Sequence, residues 1–231
     1  MPVLERRDVP NGTGTSPVLV LDIGDGENRF HPDWLGSVGS LLDEVEKTEG
    51  PRALVLAARG KFFSNGLDLD WLFAHGDRTR DYLSEVQRLF ARLLGLPMVT
   101  VAALQGHTFA AGAMLSLTCD VRVMRADRGF WCLPEADLGM PFSPGMAGLI
   151  RSRLAPATAH EAMVTGRRWG GTDALAAGIV DATAAEGAVL DAAVERAAAQ
   201  CAKAGPNLAG IRAVMYADVI EALRNGDLPT G

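Results

Sequence analysis

Between Arg92 and Asp120 the chain carries no Asp, Glu, Lys or Arg, a run of 27 residues. No other feature of the 231-residue sequence limits its folding so strongly. About 20 consecutive apolar residues suffice to cross a bilayer, so a membrane span has to be considered first. Pro97 and the polar triplet Gln105-Gly106-His107 divide the run into a strand-like piece at 98–104 and a helix-like piece at 110–119. Neither piece is long enough alone. The run is therefore read as a buried strand leading into a buried helix at the centre of a core. Hydrophobic residues make up 48% of the chain and charged ones 22%, enough apolar material for one sizeable core in one domain.

The flanking sequence supports alternating strands and helices. Residues 18–23 (VLVLDI) and 53–57 (ALVLA) read as strands, the second covered on both faces because it is wholly apolar. Apolar residues at 34, 35, 38, 41, 42 and 45 give helical spacing over 33–47. A second helix is expected at 80–94 and a further strand at 121–124. Residues 59–69 read as a loop whose two phenylalanines need a partner surface. Beyond about Pro144 strand signals stop, and helices are expected at 145–153, 156–165, 172–177, 187–204 and 207–223. The order is that of an α/β layer followed by a helical C-terminal region.

Charge excludes some partners. The net charge is −6 and no Lys/Arg stripe is available to neutralise phosphates, which argues against a nucleic-acid binder; of the 22 basic residues only Lys47, Lys61 and Lys203 are lysines. Cys119, Cys132 and Cys201 form no C-x-x-C pair, which argues against a disulfide framework and a zinc site. The opening MPVLERRDVP has no apolar stretch of a secretory leader, and the ending DLPTG is no recognised anchor or organelle address. A soluble cytoplasmic chain in a reducing compartment is expected, without metal and without membrane.

Three segments carry chemistry. Lys61-Phe62-Phe63-Ser64-Asn65-Gly66-Leu67-Asp68-Leu69 follows a strand, and Gly66 permits a tight turn there. Asp68 suits the cap of a following helix, leaving backbone N–H groups to face a cleft. Gln105 to Met114 follows the next strand with small residues at a helix start, where a ligand can approach free N–H groups. Each loop alone is equally an ordinary connection or a piece of close packing. Together they suggest paired donors, an oxyanion hole. Glu135 then sits in the apolar stretch Trp131-Cys132-Leu133-Pro134-Glu135, where burial would raise its pKa and suit a proton-transfer role. A carboxylate at the rim is the plainer reading.

These segments resemble the crotonase, or enoyl-CoA hydratase/isomerase, superfamily. F-F-S-N-G-L-D-L is similar to its F-x-x-G-x-D-[LI] element. V-A-A-L-Q-G-H-x-x-A-A-G-A-M-L-x-L-x-C-D-V is similar to its I-A-A-[VI]-x-G-x-x-x-G-G-G-x-x-L-x-x-x-C-D element. P-E-A-D-L-G-M is similar to P-E-x-x-[LI]-G, and residues 165–181 to a later T-G…A-x-x-x-G-[LI]-V segment. The resemblance spans about residues 3–205. It implies a crotonase spiral of ββα turns at 1–143 carrying the CoA-ester site, and a helical trimerisation region at 144–231 of the same catalytic unit. It also implies an acyl-CoA thioester substrate, CoA being part of the substrate rather than a cofactor, and a homotrimer or homohexamer. The implied oxyanion donors are the Leu67 and Ala111 N–H groups, with Glu135 as acid–base residue. Lys61, Phe63, Ser64, Asn65, Gly66, Asp68, Gly112 and Met114 are the implied substrate-binding positions.

Two departures matter. The family's Gly-Gly-Gly is Ala110-Ala111-Gly112 here, which adds methyl groups that narrow the pocket. Met114 stands where hydratases carry a second glutamate. Hydration needs a water held and deprotonated, work suited to two carboxylates, whereas one carboxylate suffices to shuttle a proton. The single-glutamate pattern resembles the Δ3,Δ2-enoyl-CoA isomerases, most of all the short peroxisomal-type ones, which share F-F-S-N-G-x-D-L-x-W and G-D-G-E-x-R-F-H-P-D. A hydratase and a non-catalytic acyl-CoA-binding homologue are the alternatives. Other residues carry weaker claims. Asp70 lies near the first loop, Asp137 reads as a surface or structural group, and His107 as a residue that packs or supports the site from behind rather than as a base. Trp71, Phe73 and Trp131 are acyl-channel or core positions. Gly24-x-Gly26-x-x-Arg29 lacks the third glycine of a dinucleotide fingerprint, and Ser143 is outside any G-x-S-x-G.

Overall fold

The computed structural model describes residues 1–11 and 14–228; the last three residues of the DLPTG ending lie outside the described residues. The chain opens with a hairpin, β1 (Val3–Asn11) and β2 (Gly14–Asp22), followed by helix α1 (Pro32–Lys47). A repeating unit then begins, in which one strand enters a large sheet, the next enters a small sheet, and a helix returns. The first turn is β3 (Ala53–Ala57), β4 (Phe62–Ser64), α2 (Leu69–Ala74) and α3 (Thr79–Leu94). The second is β5 (Val99–Leu104), β6 (His107–Phe109) and α4 (Ala111–Leu117). The third is β7 (Val121–Arg125), β8 (Trp131–Cys132), α5 (Glu135–Leu138) and α6 (Pro144–Arg153). There follow α7 (Pro156–Thr165), α8 (Gly171–Ala176), β9 (Ala182–Ala184), α9 (Val189–Ala198), α10 (Pro206–Met215) and α11 (Ala217–Asn225).

The large sheet has the order β1-β2-β3-β5-β7-β9, and the small one β4-β6-β8. Among the described strands the β1–β2 pair is antiparallel and the other strand pairs are parallel; an isolated antiparallel bridge joins Trp131 to Trp169. Parallel strands are covered on both faces, and strand alternation divides their side chains accordingly. Leu19, Leu21, Leu54, Leu56, Ala102 and Leu104 enter the main core with α1, α3 and α4. Val18, Val20, Val55, Val101 and Val123 meet Val189, Ala193, Val194 and Ala197 of α9 on the opposite face. The charge-free run is β5 and α4 with their connections, and every residue of α4 is buried. No helix among the described residues is long and apolar enough to cross a membrane.

Several expectations are corrected. Residues 59–69 contain β4, and Phe63 is a fully buried core residue, so it needs no external partner surface. Strands do not stop at Pro144, because β9 joins the large sheet beside β7. The helix expected over 207–223 is two helices broken at Tyr216, whose φ of −117° and ψ of 19° leave the helical region. The helix expected over 187–204 ends at Ala198, before a 3-10 turn at Cys201–Lys203.

Candidate active site

The end of the small sheet is where the three segments meet. Each of its strands is followed, within a few residues, by one of the groups singled out above: Leu67 after β4, Ala111 after β6, Glu135 after β8. Leu67, Ala111 and Glu135 line one cavity of about 430 Å³, together with Asn65, Ala110 and Met114.

The β4–α2 loop is held by its own backbone groups. The Asn65 N–H donates to Glu27 O (2.9 Å), Gly66 O accepts from the Phe30 N–H (2.8 Å), and the Asp68 N–H donates to Tyr82 Oη (3.0 Å). The Gly66 N–H donates to Ser64 Oγ (3.1 Å), whose proton goes to Asn28 O (2.8 Å). The Leu67 N–H alone in this loop donates to no group among the described residues. Asp68 Oδ1 caps α2 by accepting from the Trp71 N–H at 3.1 Å. Gly66 has φ +83°, and a Cβ built there would stand 2.9 Å from Ala111 N, so the turn lies directly against the second loop.

The second loop is under backbone strain. Ala110 adopts φ 52° and ψ −126°, a region that L side chains rarely occupy and that typically costs ~1–3 kcal/mol. Its N–H donates to Cys132 O (3.0 Å) and its carbonyl accepts from the Met114 N–H (3.1 Å), which hold it there. The Ala111 N–H, at the first helical position, has no intrahelical acceptor. It donates to no other group among the described residues. Gly112 presses on Ser64, where a Cβ would stand 2.6 Å from the Ser64 carbonyl oxygen. That contact lets α4 start against the end of β4.

Glu135 opens α5 and is 7% exposed. Its Oε2 has no hydrogen-bond partner among the described residues. Burial raises its pKa from 4.5 to about 7, against a smaller lowering by its own backbone N–H. Asp70, the other acid lining the cavity, is exposed and pairs with Arg29 at 2.6 Å. Met114 is buried and supplies a thioether to the wall.

The remaining expected positions lie elsewhere. Phe63 and Ser64 are buried behind the loop, and Gly66, Asp68 and Gly112 shape it without lining the cavity. Lys61 is exposed, with Nζ 5.2 Å from the Phe62 ring centroid. Trp131 is a core residue whose Nε1–H donates to Ser116 Oγ (3.1 Å), Trp71 stacks on His75, and Phe73 is exposed. None of the three lines the cavity. Sequence reasoning missed Arg168, which lines the cavity beside Phe109 and has no ion pair among the described residues. The pKa of His107 is lowered by burial and then by the charges of Lys61, Arg128 and Arg168; of these four residues Arg168 is the one in the cavity lining. Sequence reasoning also missed Gln87, which faces the same cavity from α3.

Comparison with known proteins agrees with this architecture. Residues 18–226 match the profile of the family described as enoyl-CoA hydratase/isomerase. The chain is 37% identical over 209 residues to the peroxisomal enoyl-CoA delta isomerase 2 of Arabidopsis thaliana, covering 85% of this chain and 87% of that one. It is 33% identical over 184 residues to a putative enoyl-CoA hydratase of Thermus thermophilus, with 77% and 71% covered. Among solved structures, an enoyl-CoA isomerase of Mycobacterium tuberculosis superposes with a TM-score of 0.83 at 28% identity, over 97% of this chain and 95% of that one. Human mitochondrial Δ3,Δ2-enoyl-CoA isomerase gives 0.82 at 25% identity, over 97% and 90%. With its spiral of strands and helices, and with its motifs gathered at one cavity, the chain belongs to the enoyl-CoA hydratase/isomerase family.

Proposed function

We infer that the chain is an enoyl-CoA isomerase of fatty acid oxidation, converting a 3-enoyl-CoA to the 2-trans-enoyl-CoA. The observation that carries this reading is a single buried carboxylate, Glu135, in a cavity where Met114 offers no second one. The names of the Arabidopsis relatives support it.

The Glu135 carboxylate takes a proton from C2 of the substrate. The electron pair moves into a dienolate, and the negative charge develops on the thioester oxygen. The Leu67 and Ala111 N–H groups face that oxygen, and each preorganised donor of this kind is worth about 3–4 kcal/mol. Glu135, now protonated, returns the proton at C4, and the double bond settles between C2 and C3. The carboxylate is regenerated and no other reactant is consumed. A pKa of about 7 suits both halves, because the group must be a base in the first and an acid in the second. Met114 cannot hold and orient a water as a carboxylate would, which disfavours hydration.

The cations Lys61, Arg128 and Arg168 support placement of the CoA phosphates on the His107 side. Three buried free cysteines support a reducing, cytoplasmic setting. Exposed Ile211, Val214 and Met215 on α10 support assembly into a homotrimer or homohexamer. The deciding experiment offers 3-enoyl-CoA and 2-enoyl-CoA separately. Appearance of the conjugated product from the first, with no loss of conjugation from the second, is expected. The reverse pattern overturns the reading in favour of a hydratase, and inertness toward both favours a binder.

A further inference from the structure

Gln87 is fully buried on α3 and lines the cavity. A carboxamide offers one acceptor oxygen and two N–H donors. The oxygen is engaged: the Ser143 hydroxyl donates to Gln87 Oε1 at 2.7 Å. Ser143 Oγ in turn accepts from the Met146 N–H at 3.2 Å, capping α6. Oε1 is turned toward the α6–α11 wall, since a Cβ on Gly145 would lie 3.0 Å from it. The amide nitrogen therefore faces away from that wall. Gln87 Nε2 is buried and has no hydrogen-bond partner among the described residues.

A buried donor left without an acceptor costs about 1–3 kcal/mol, so its presence at a formed cavity marks a place for an acceptor on the ligand. Leu83, Phe142, Met146 and Leu228 belong to the same lining. They come from α3, α6 and the segments flanking α6 and α11, which carry none of Leu67, Ala111 and Glu135. Glu135 Oε2 is likewise without a partner, so the amide does not bond to that oxygen. An unbranched hydrocarbon chain would leave Nε2 unpaired, whereas an oxygen on the chain would satisfy it.

Resting on the isomerase reading of this site, we propose that Gln87 Nε2 recognises an acceptor oxygen on the acyl chain. The preferred substrates are then 3-enoyl-CoA esters bearing a keto oxygen beyond the reacting double bond. The cavity reads chain chemistry as well as chain length, because a site built around a donor rejects a chain that cannot accept from it.

The test measures binding of saturated acyl-CoA esters to the intact chain by calorimetry. Plain chains are compared with chains of the same length carrying one keto oxygen, moved carbon by carbon along a medium-chain series. The wild-type chain is expected to bind one keto isomer about tenfold more tightly than its plain counterpart. Gln87→Leu, and Gln87→Met as a less branched replacement, are expected to bring that ratio to one. Equal binding of plain and keto esters by the wild type throughout the series overturns the proposal, and so does a preference that survives in either variant. Saturated esters cannot isomerise, so this result is separate from the reaction itself. Failure of the wild type to convert a plain or keto 3-enoyl-CoA sinks the isomerase reading and leaves the binding ratio to be judged alone.

Discussion

Glu135→Gln separates the chemistry of this residue from the cost of burying it. The side chain is 7% exposed and its Oε2 has no hydrogen-bond partner among the described residues. The folded chain holds the carboxyl proton up to about pH 7, whereas an unperturbed carboxyl releases it near 4.5. Between those values the folded state binds more protons than the unfolded one, so stability falls as pH rises, and above about 7 the loss is complete. Integrating this difference from pH 5 to pH 8 gives a penalty of about 2–3 kcal/mol, which the amide does not incur. Any fixed cost of placing an amide there cancels in the comparison across pH. The variant is thus expected to gain about 2–3 kcal/mol on the wild type between pH 5 and pH 8, or roughly 5–10 °C in Tm for a chain of this size. Urea titrations at a series of pH values measure it. Over the same range wild-type kcat/KM is expected to rise through about pH 7 as the base ionises, while the variant binds the CoA ester and does not turn it over. Parallel stability profiles for the two proteins would refute the burial argument, and turnover by Glu135→Gln would refute the proton shuttle.

Gly66→Ala is expected to cut kcat/KM at least a hundredfold and to lower stability by about 1–3 kcal/mol, because the new Cβ meets backbone at Ala111 and Phe109 and φ is +83°. Steady-state kinetics and urea melts check both parts. Ala110→Gly is expected to raise stability by about 1 kcal/mol with activity retained, since strain relief exceeds the added unfolded-state entropy. Lower stability in the urea midpoint would show that Ala110 is unstrained. Met114→Glu is expected to confer slow hydration of 2-enoyl-CoA, followed as loss of conjugated absorbance, and to lower stability because it buries a second carboxyl.

The parts of the fold that were legible share one cause. β2, β3 and β5 are buried on both faces and read as mostly apolar runs, β7 shows Val121, Val123 and Met124 around Arg122, and α1 and α3 show one-sided periodicity. β1 was hidden by Glu5, Arg6, Arg7 and Asp8, which an edge strand exposed to solvent can carry. β4, β6, β8 and β9 are two or three residues long, and their pairing partners rather than local propensity make them strands. In the site, Glu135 and the Gly66 turn were visible as oddities of type and place. The left-handed Ala110 was not, because alanine at a helix start suggests a good helix former and conceals the φ imposed by Cys132 and Met114. Gln87 drew no reading, being one polar residue within a helix recognised by its apolar ones. The signal that would have exposed it is its place on the stripe with Leu83, four residues before it, and Phe90 and Leu94, three and seven residues after it on one helix face.

The small sheet has a further consequence. Leu67, Ala111 and Glu135 each emerge two or three residues past the end of adjacent parallel strands. Neighbouring strands are held about 4.8 Å apart by their hydrogen bonds, whatever their side chains. The three-stranded sheet thus acts as a ruler, setting the distances between donor, donor and carboxylate in units of strand width. Met114, three residues past Ala111 on α4, is carried on the same frame. A change in the reaction then requires a new group at an old coordinate, and an insertion within β4, β6 or β8 would be the lesion that spoils the scale itself.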